Sequence, residues 1–185
     1  MKLKVTKVDI KGLLVVEPVC FEDESGFFME PWNKRGFSDI GITVDFVQEG
    51  HSRSKPQVIR GLHYQTGTAS QAKLVRCIFG KVYDVAVDLR INSKTFGKWF
   101  GVELSAENKK QLYIPVGFAH GFAVPDGYAE ILYKQSSYYT PSKQGSVLWN
   151  DKDINIKWPI KEPILSEKDT KAQTLGEYLK NPAFK

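Results

Sequence analysis

Apolar and polar residues alternate along short stretches of this chain, and the clearest alternation runs from residue 81 to residue 90. Tyr83, Val85, Val87 and Leu89 form one wholly apolar face, whereas the residues between them include two aspartates. Because successive side chains of a β-strand point to opposite faces, this pattern predicts a strand with one face in a core. The mixed face is expected to line a wetter environment.

Similar stretches recur along the chain and are separated by Gly, Pro, Asn and Ser, which favour turns. They predict strands at residues 4–8, 13–18, 43–49, 60–65, 72–79, 98–104, 111–115, 121–125, 129–137 and 146–149. Helical patterns are few and are confined to residues 33–39, a single turn beginning at Ser105, and residues 170–179. Many short strands at regular spacing predict an all-β sandwich or barrel, here as one domain over residues 1–185.

Composition and charge narrow the class of protein. The chain has 185 residues, of which 42% are hydrophobic and 25% charged. This is typical of an ordinary domain that folds without disulfides or a structural metal. The net charge of +5 is not gathered in one basic stretch with interleaved aromatics, so we expect no nucleic-acid partner. A positive field would suit a small polyanionic substrate.

Two features indicate where the protein works. No apolar stretch approaches the ~20 residues of a membrane span, and the N-terminus lacks a signal-peptide pattern, so we expect no membrane association. Cys20 and Cys77 lie in apolar, strand-like stretches without metal-ligand spacing, which predicts buried free thiols. This cysteine usage fits a reducing cytoplasm.

The most informative residues chemically are Arg60, His63 and Lys73, which lie within fourteen positions in a chain with only three histidines. Strict strand alternation would place Arg60 with Leu62 on one face and His63 on the other. Enolising a ketone on an anionic carrier needs a cation for a phosphate, a titratable base and a second cation for the developing oxyanion. The stretch therefore predicts an enolisation site.

Another histidine, His120, closes a Pro-x-Gly-x-x-His spacing that resembles the second conserved box of cupin barrels. In metal-binding cupins an earlier His-x-His pair supplies further ligands, but here the earlier site reads His63-Tyr-Gln65. His51 does not restore the spacing, and a transition-metal site needs three or four convergent ligands. A metal-free cupin is therefore favoured over a metal-dependent oxygenase.

Several later residues are candidates for the same site. Tyr133 lies in a predicted strand and belongs to the core unless it faces the cavity. Tyr138 and Tyr139 begin a loop, where paired aromatics can stack on a flat ring or cap the barrel. Asp169 is either a solvated surface residue or the carboxylate that fixes the tautomer of a histidine, as in a catalytic triad.

Taken together, these motifs resemble the dTDP-4-dehydrorhamnose 3,5-epimerase family. The resemblance runs from about residue 14 to residue 169 and rests on residues 23–30, 46–48, 59–65, 71–75, 83–88, 114–122, 149–151 and 165–169. It implies a cupin-like jelly-roll β-barrel with short peripheral helices, N-terminal strands that contribute to a homodimer, and a C-terminal helix outside the barrel. It also implies a nucleotide-sugar substrate and no cofactor.

The resemblance further implies a role for each candidate residue. His63, hydrogen-bonded to Asp169, would remove the proton beside the C4 ketone. Tyr133 would be the acid on the opposite face of the sugar, and Lys73 would stabilise the enolate oxygen. The resemblance implies that Arg60 and Lys168 hold the phosphates or nucleotide and that His120 lies near the sugar. It implies that Gln48 and Glu30 contact the nucleoside and that Tyr139, rather than Tyr138, stacks on the base. Phe28 and Glu30 would reach the partner's site.

Three residues depart from the family pattern, at positions that the resemblance assigns to the nucleotide end. Ser25 stands where arginine is usual, Gly50 where asparagine is usual, and Gln144 where glutamate is common.

The implied reaction converts dTDP-4-dehydro-6-deoxy-D-glucose to dTDP-4-dehydro-L-rhamnose for cell-surface polysaccharide. The alternatives are an epimerase acting at C3 or C5 only, or on a CDP- or GDP-linked sugar. A metal-dependent cupin oxygenase and a non-catalytic sugar-nucleotide binding protein are the alternatives of another class.

Overall fold

Strands dominate the computed structural model, which describes residues 2–185. The strands are β1 Leu3–Lys7, β2 Leu14–Pro18, β3 Cys20–Asp23, β4 Gly26–Met29, β5 Gln48–Ser54, β6 Ile59–Gln65, β7 Lys73–Phe79, β8 Lys81–Asp88, β9 Trp99–Ser105, β10 Gln111–Ile114, β11 Phe118–Ala123, β12 Ala129–Gln135 and β13 Gln144–Ser146. The α-helices are short: α1 Lys34–Asp39, α2 Glu167–Thr170 and α3 Leu175–Tyr178.

Two antiparallel sheets pack face to face. One has six strands in the order β1-β2-β10-β7-β12-β5, and the other has five in the order β13-β6-β11-β8-β9. Strands β3 and β4 form a separate two-stranded hairpin. This is a cupin-like jelly roll, so the predicted all-β fold with short peripheral helices is confirmed.

The main core lies between the sheets, where alternate side chains of each strand point inward. Val75, Leu112 and Ile131 come from the six-stranded sheet, and Ala86 and Phe122 come from the five-stranded sheet. The predicted mixed face of β8 points into this space, because Ala86 belongs to this core. The cavity described below opens within the same layer.

A second core covers the outer face of the five-stranded sheet. Val85, Val87 and Leu89 of the predicted apolar face pack there against Tyr178 and Phe184 near the C-terminus. The Tyr178 hydroxyl donates to the Leu89 carbonyl at 2.8 Å. Strand β8 is therefore buried on both faces, and its aspartates, Asp84 and Asp88, lie inside the protein.

Several predicted elements differ from the structure. The strand expected at residues 43–49 begins only at Gln48 and continues to Ser54. The residues before it contribute Val44 and Phe46 to a third apolar cluster, so side-chain packing holds them without a strand ladder. Ser105 and Asn108 cap each other in a turn that does not become a helix.

The helices follow their capping residues. Asn33 accepts a hydrogen bond from the Gly36 amide at 3.0 Å, which begins α1 at the predicted place. The helix predicted at residues 170–179 is instead two short helices, because Thr174 and Glu177 form a capping box that starts α3 separately. The β3–β4 hairpin was not predicted. Its turn is held by the Ser25 amide and hydroxyl, which both donate to Asp23.

The environment of the cysteines agrees only in part with the prediction. Both are free, and Cys77 is buried as expected. Cys20 is only half-buried because it begins the exposed hairpin.

Among residues 2–185, none of the helices has the length and apolar character that a membrane crossing requires.

Candidate active site

A cavity of about 340 Å³ opens between the two sheets, and we call it the catalytic cavity. Seven residues proposed from sequence line it together with residues that were not proposed. The complete lining is Ser52, Arg60, His63, Lys73, His120, Phe122, Ile131, Tyr133, Ser166, Lys168 and Asp169. Residues that are more than one hundred positions apart in the chain therefore meet at one site.

Arg60 and His63 share this cavity, although strict alternation would separate them. The pairing of β6 with β11 joins His63 to His120 and Arg60 to Phe122, so three steps on β6 match two on β11. Such a β-bulge reverses the alternation on one strand. The prediction that Arg60 lies on the same face as Leu62 is therefore wrong, and Leu62 packs in the outer core.

A glycine pair allows the two strands to approach closely at this bulge. Gly61 has φ +132°, a conformation that side-chain-bearing residues rarely adopt. A Cβ at Gly61 would lie 2.5 Å from the Gly121 Cα. The glycine of the Arg-Gly-Leu-His motif is therefore needed for the backbone that brings Arg60 and His63 together.

His63 is oriented by a buried carboxylate. Its Nε2 donates to Asp169 Oδ1 at 2.5 Å, and Asp169 is only 2% exposed. Burial alone would raise the pKa of Asp169, but the hydrogen bonds from His63 and Ser166 outweigh it and hold the pKa below its usual value. With Nε2 as the donor, the neutral ring carries its lone pair on Nδ1, the atom that can accept a proton.

A second histidine–carboxylate pair lies deeper. His120 Nε2 lies 3.1 and 3.0 Å from the two carboxylate oxygens of Asp84, which is fully buried. Burial lowers the pKa of His120, and the charges of Lys73 and His63 add to this while Asp84 opposes it. His120 is therefore held as a neutral ring that donates to Asp84.

Lys73 lines the same cavity, and its charge interacts with both Asp84 and His120. Burial lowers its pKa from the ordinary 10.5 to about 8, although the charge of Asp84 acts in the opposite direction. The ammonium is therefore still mostly protonated at neutral pH and poorly solvated. A desolvated cation is a strong stabiliser of an adjacent oxyanion.

Tyr133 and His63 come from opposite sheets. Tyr133 lies on β12 and Lys73 on the neighbouring β7, both in the six-stranded sheet. His63 and His120 lie on β6 and β11 of the five-stranded sheet. A flat ligand between the sheets would therefore meet the base candidate on one side and the tyrosine on the other.

A smaller cavity of about 140 Å³ adjoins the catalytic cavity and shares His63, Lys73 and Tyr133 with it. Its other lining residues are mainly amides and aromatics: Tyr64, Gln65, Gln71, Gln135, Tyr139 and Gln144. The Tyr139 hydroxyl donates to Gln144 Oε1 at 2.7 Å, and the Tyr139 amide donates to Gln48 Oε1 at 2.9 Å. Gln48 and Gln144 thus hold the loop that carries Tyr139.

The remaining proposed residues do not line either cavity in the described chain. Ser25, Phe28 and Glu30 lie in or just after the exposed β3–β4 hairpin. Tyr138 is 68% exposed. Gly50 lies on β5 directly opposite Tyr133, so the structure places it beside that ring.

Three polar residues of the site were not proposed from the sequence. Asp84 carried a usable signal, because it is a charged residue in the middle of a strand whose other face is wholly apolar. Ser166 is the N-cap of α2 and donates to Asp169 Oδ2 at 2.8 Å. Ser52 carried no such signal, since only the pairing of β5 with β12 brings it to the cavity.

The structure also locates the residues considered as metal ligands. Within residues 2–185 no cluster of three or more His, Cys, Asp or Glu side chains has a geometry that could hold a metal ion. His63 and His120 each bind a carboxylate, and exposed His51 binds Glu130 on β12. The ligand set of a metal-binding cupin is therefore not assembled by these residues.

Comparison with known proteins identifies the family. The family model described as dTDP-4-dehydrorhamnose 3,5-epimerase matches residues 7–177. This chain belongs to the dTDP-4-dehydrorhamnose 3,5-epimerase family. A relative of that name from Salmonella typhimurium is 55% identical over 177 residues, covering 95% of this chain and 97% of the relative.

Solved structures of family members are similar over nearly the whole fold. The Legionella pneumophila dTDP-6-deoxy-D-glucose-3,5-epimerase in complex with dTDP-4-keto-L-rhamnose has a TM-score of 0.91 and 44% identity, covering 95% of this chain and 94% of that chain. A 3'-monoepimerase from Streptomyces bikiniensis in complex with dTDP-quinovose has a TM-score of 0.89 and 32% identity, covering 96% and 90%.

Proposed function

We propose that this protein epimerises dTDP-4-dehydro-6-deoxy-D-glucose at C3 and C5 to give dTDP-4-dehydro-L-rhamnose. The observation that carries the proposal is the placement of the His63–Asp169 pair and Tyr133 on opposite sheets of one cavity, with Lys73 lining it. Epimerisation requires loss of a proton from one face of a carbon and gain of a proton on the other. This cavity has a base, His63, on one side and a proton donor, Tyr133, on the other.

In the proposed mechanism the C4 ketone acidifies the protons on C3 and C5. His63 accepts one of these protons, and the C–H electron pair moves into an enolate whose oxygen is stabilised by the Lys73 ammonium. Asp169 stabilises the imidazolium that forms. Tyr133 then donates its proton to the same carbon from the opposite face. Solvent restores both side chains, and the second carbon is inverted in the same way.

The anionic carrier is proposed to bind at the mouth of the cavity. Arg60 and Lys168 are two cations of the cavity lining, which also includes the hydroxyl-bearing Ser52 and Ser166. Such groups are suited to a diphosphate. Tyr139, held by Gln48 and Gln144, is proposed to stack on the base, and His120 is proposed to contact the sugar.

We also propose that the protein is a homodimer acting in the cytoplasm, where its product supplies L-rhamnose for cell-surface polysaccharide. The β3–β4 hairpin exposes three phenylalanines, Phe21 at 65%, Phe27 at 58% and Phe28 at 69%. A cluster of exposed large apolar side chains favours a protein interface. A second copy covering this hairpin would bring Ser25, Phe28 and Glu30 near its own site.

Proton NMR in D₂O with dTDP-4-keto-6-deoxyglucose tests the reaction. We expect deuterium at both C3 and C5 together with the L-rhamno product, and neither with His63→Ala. Absence of exchange at both carbons with the purified wild-type protein would refute the proposal for this nucleotide. Parallel assays with the CDP- and GDP-linked sugars then test the other carriers.

An epimerase that acts at one carbon is the second candidate. Its support is the similarity to the Streptomyces bikiniensis 3'-monoepimerase, which is almost as close in fold as the 3,5-epimerases. The same NMR experiment separates the two functions. Deuterium confined to C3, or to C5, would favour the second candidate.

A further inference from the structure

Three glycine–tyrosine contacts recur in the sheets of this protein. In each one a Cβ built on the glycine would lie within 2.6 Å of a tyrosine ring atom, closer than real Cβ atoms come. The pairs are Gly50 with Tyr133, Gly101 with Tyr83, and Gly145 with Tyr64. The aromatic ring in each pair lies over the bare backbone of the neighbouring strand, a known way to cover a glycine in a sheet.

Only one of these pairs involves the proposed acid. Tyr133 lines both cavities, Tyr64 lines only the smaller one, and Tyr83 lines neither. Gly50 is the direct partner of Tyr133 in the β5–β12 register. A Cβ there would lie 2.5 Å from Tyr133 Cε2 and Cζ and 2.8 Å from the hydroxyl oxygen.

The backbone does not require glycine at this position. Gly50 is absent from the glycines of residues 2–185 with positive φ, so other residues could adopt its conformation. The space for a side chain is filled by the Tyr133 ring instead. The residue at position 50 therefore decides where this ring can lie.

Packing also determines the position of the Tyr133 hydroxyl. Within the described residues, no hydrogen-bond partner of this hydroxyl is found, so polar contacts do not orient it. The ring packs against the main core and also lies against Gly50. A side chain at position 50 would force the ring and its hydroxyl to move.

We infer that Gly50 is a positioning and specificity-determining residue, which places the Tyr133 hydroxyl for proton delivery to the face opposite His63. This inference rests on the proposed function, in which Tyr133 is the acid. Displacement of an acid by about 1 Å can reduce a catalysed step about a hundredfold. The loss would fall on delivery of the proton and not on its removal by His63.

Gly50→Ala and Gly50→Ser test the inference, because each adds a Cβ where the Tyr133 ring lies. Each variant is incubated with dTDP-4-keto-6-deoxyglucose in D₂O, and NMR measures deuterium at C3 and C5 and formation of epimerised product. We expect deuterium exchange to persist while product formed per exchange event falls at least about tenfold. The ratio of product inverted at C3 to that inverted at C5 also changes.

Gly101→Ala is the matched control, because it creates the same kind of clash with Tyr83, which lines neither cavity. It should lower the melting temperature without changing the product formed per exchange event. A second control is Tyr133→Phe combined with Gly50→Ala. This double variant should form no less product than Tyr133→Phe alone, since the hydroxyl is already absent.

Two failures remain distinguishable. If the wild type exchanges and epimerises but a folded Gly50→Ala or Gly50→Ser variant keeps the wild-type product ratio, the inference is wrong and the proposed function stands. If the wild type shows no exchange at C3 or C5, the proposed function itself fails. Should Gly50→Ala not fold, Gly50→Ser decides the question by the same measurement.

Discussion

The depressed pKa of Lys73 leads to a specific prediction about activity at alkaline pH. Its pKa is lowered from 10.5 to about 8 by burial, with Asp84 opposing. If only the protonated ammonium stabilises the enolate, the active fraction is about one half at pH 8 and about one tenth at pH 9. We therefore expect kcat/KM to fall about tenfold per pH unit above pH 8.

Lys73→Arg provides the matched variant for this experiment. A guanidinium remains charged throughout this range because its pKa exceeds ~12. We expect the variant to be less active, since its geometry differs, but to lose the decline near pH 8. The measurement is kcat/KM from pH 6 to pH 10 for both proteins, with circular dichroism at each pH to confirm folding.

The same shift predicts how stability depends on pH. The unfolded chain binds more protons than the folded protein between pH 8 and pH 10.5, so the free energy of unfolding should rise across this range. A shift of this size corresponds to at most about 3 kcal/mol, and partial exposure of Lys73 makes the real contribution smaller. Lys73→Met should remove this rise and be more stable than the wild type at pH 7.

Two results would contradict this reasoning. A wild-type kcat/KM that stays constant to pH 9.5 would mean that the pKa of Lys73 is not depressed or that Lys73 need not be charged for activity. A decline at the same pH in Lys73→Arg would assign the titration to another group. The first result would refute the depressed pKa of Lys73 or its need for charge, and the second would refute Lys73 as the group that titrates.

Three further predictions concern single side chains. Asp169→Asn should lower kcat about 10²–10⁴-fold with little change in KM, because the imidazolium of His63 loses its partner; a KM effect alone in steady-state kinetics would argue against this. Tyr133→Phe should retain proton exchange in D₂O but lose normal product, and loss of all exchange by NMR would mean that Tyr133 is not only the acid. Phe28→Ser should shift a dimer towards monomer in analytical ultracentrifugation, and an unchanged mass would remove the hairpin from the interface.

Local patterns predicted the fold class well. Alternation in residues 81–90 correctly indicated a strand with a mixed face, because strand geometry alternates side chains whatever the neighbours are. The same rule failed at Arg60, where the bulge between β6 and β11 inserts an extra residue. It also failed at residues 43–47, whose apolar side chains pack in a cluster without strand pairing.

Residue types and motifs predicted the chemistry of the candidate site, but they did not predict the distances between its side chains. His63, Lys73 and Tyr133 stood out in the sequence because few residue types can remove protons, supply them or stabilise an oxyanion. The pair of Asp84 with His120 was missed, since the two residues come from different strands and only their burial makes the hydrogen bonds significant.

The amino-acid sequence by itself determined that this protein is a β-rich domain carrying the residues of an epimerase, because strand periodicity and motif spacing are local properties of the chain. Only the tertiary structure decided which of these residues meet. It brought Arg60 beside His63, paired Asp84 with His120, and set Gly50 against the Tyr133 ring. The physical reason is that strand register and bulges depend on pairing between distant segments.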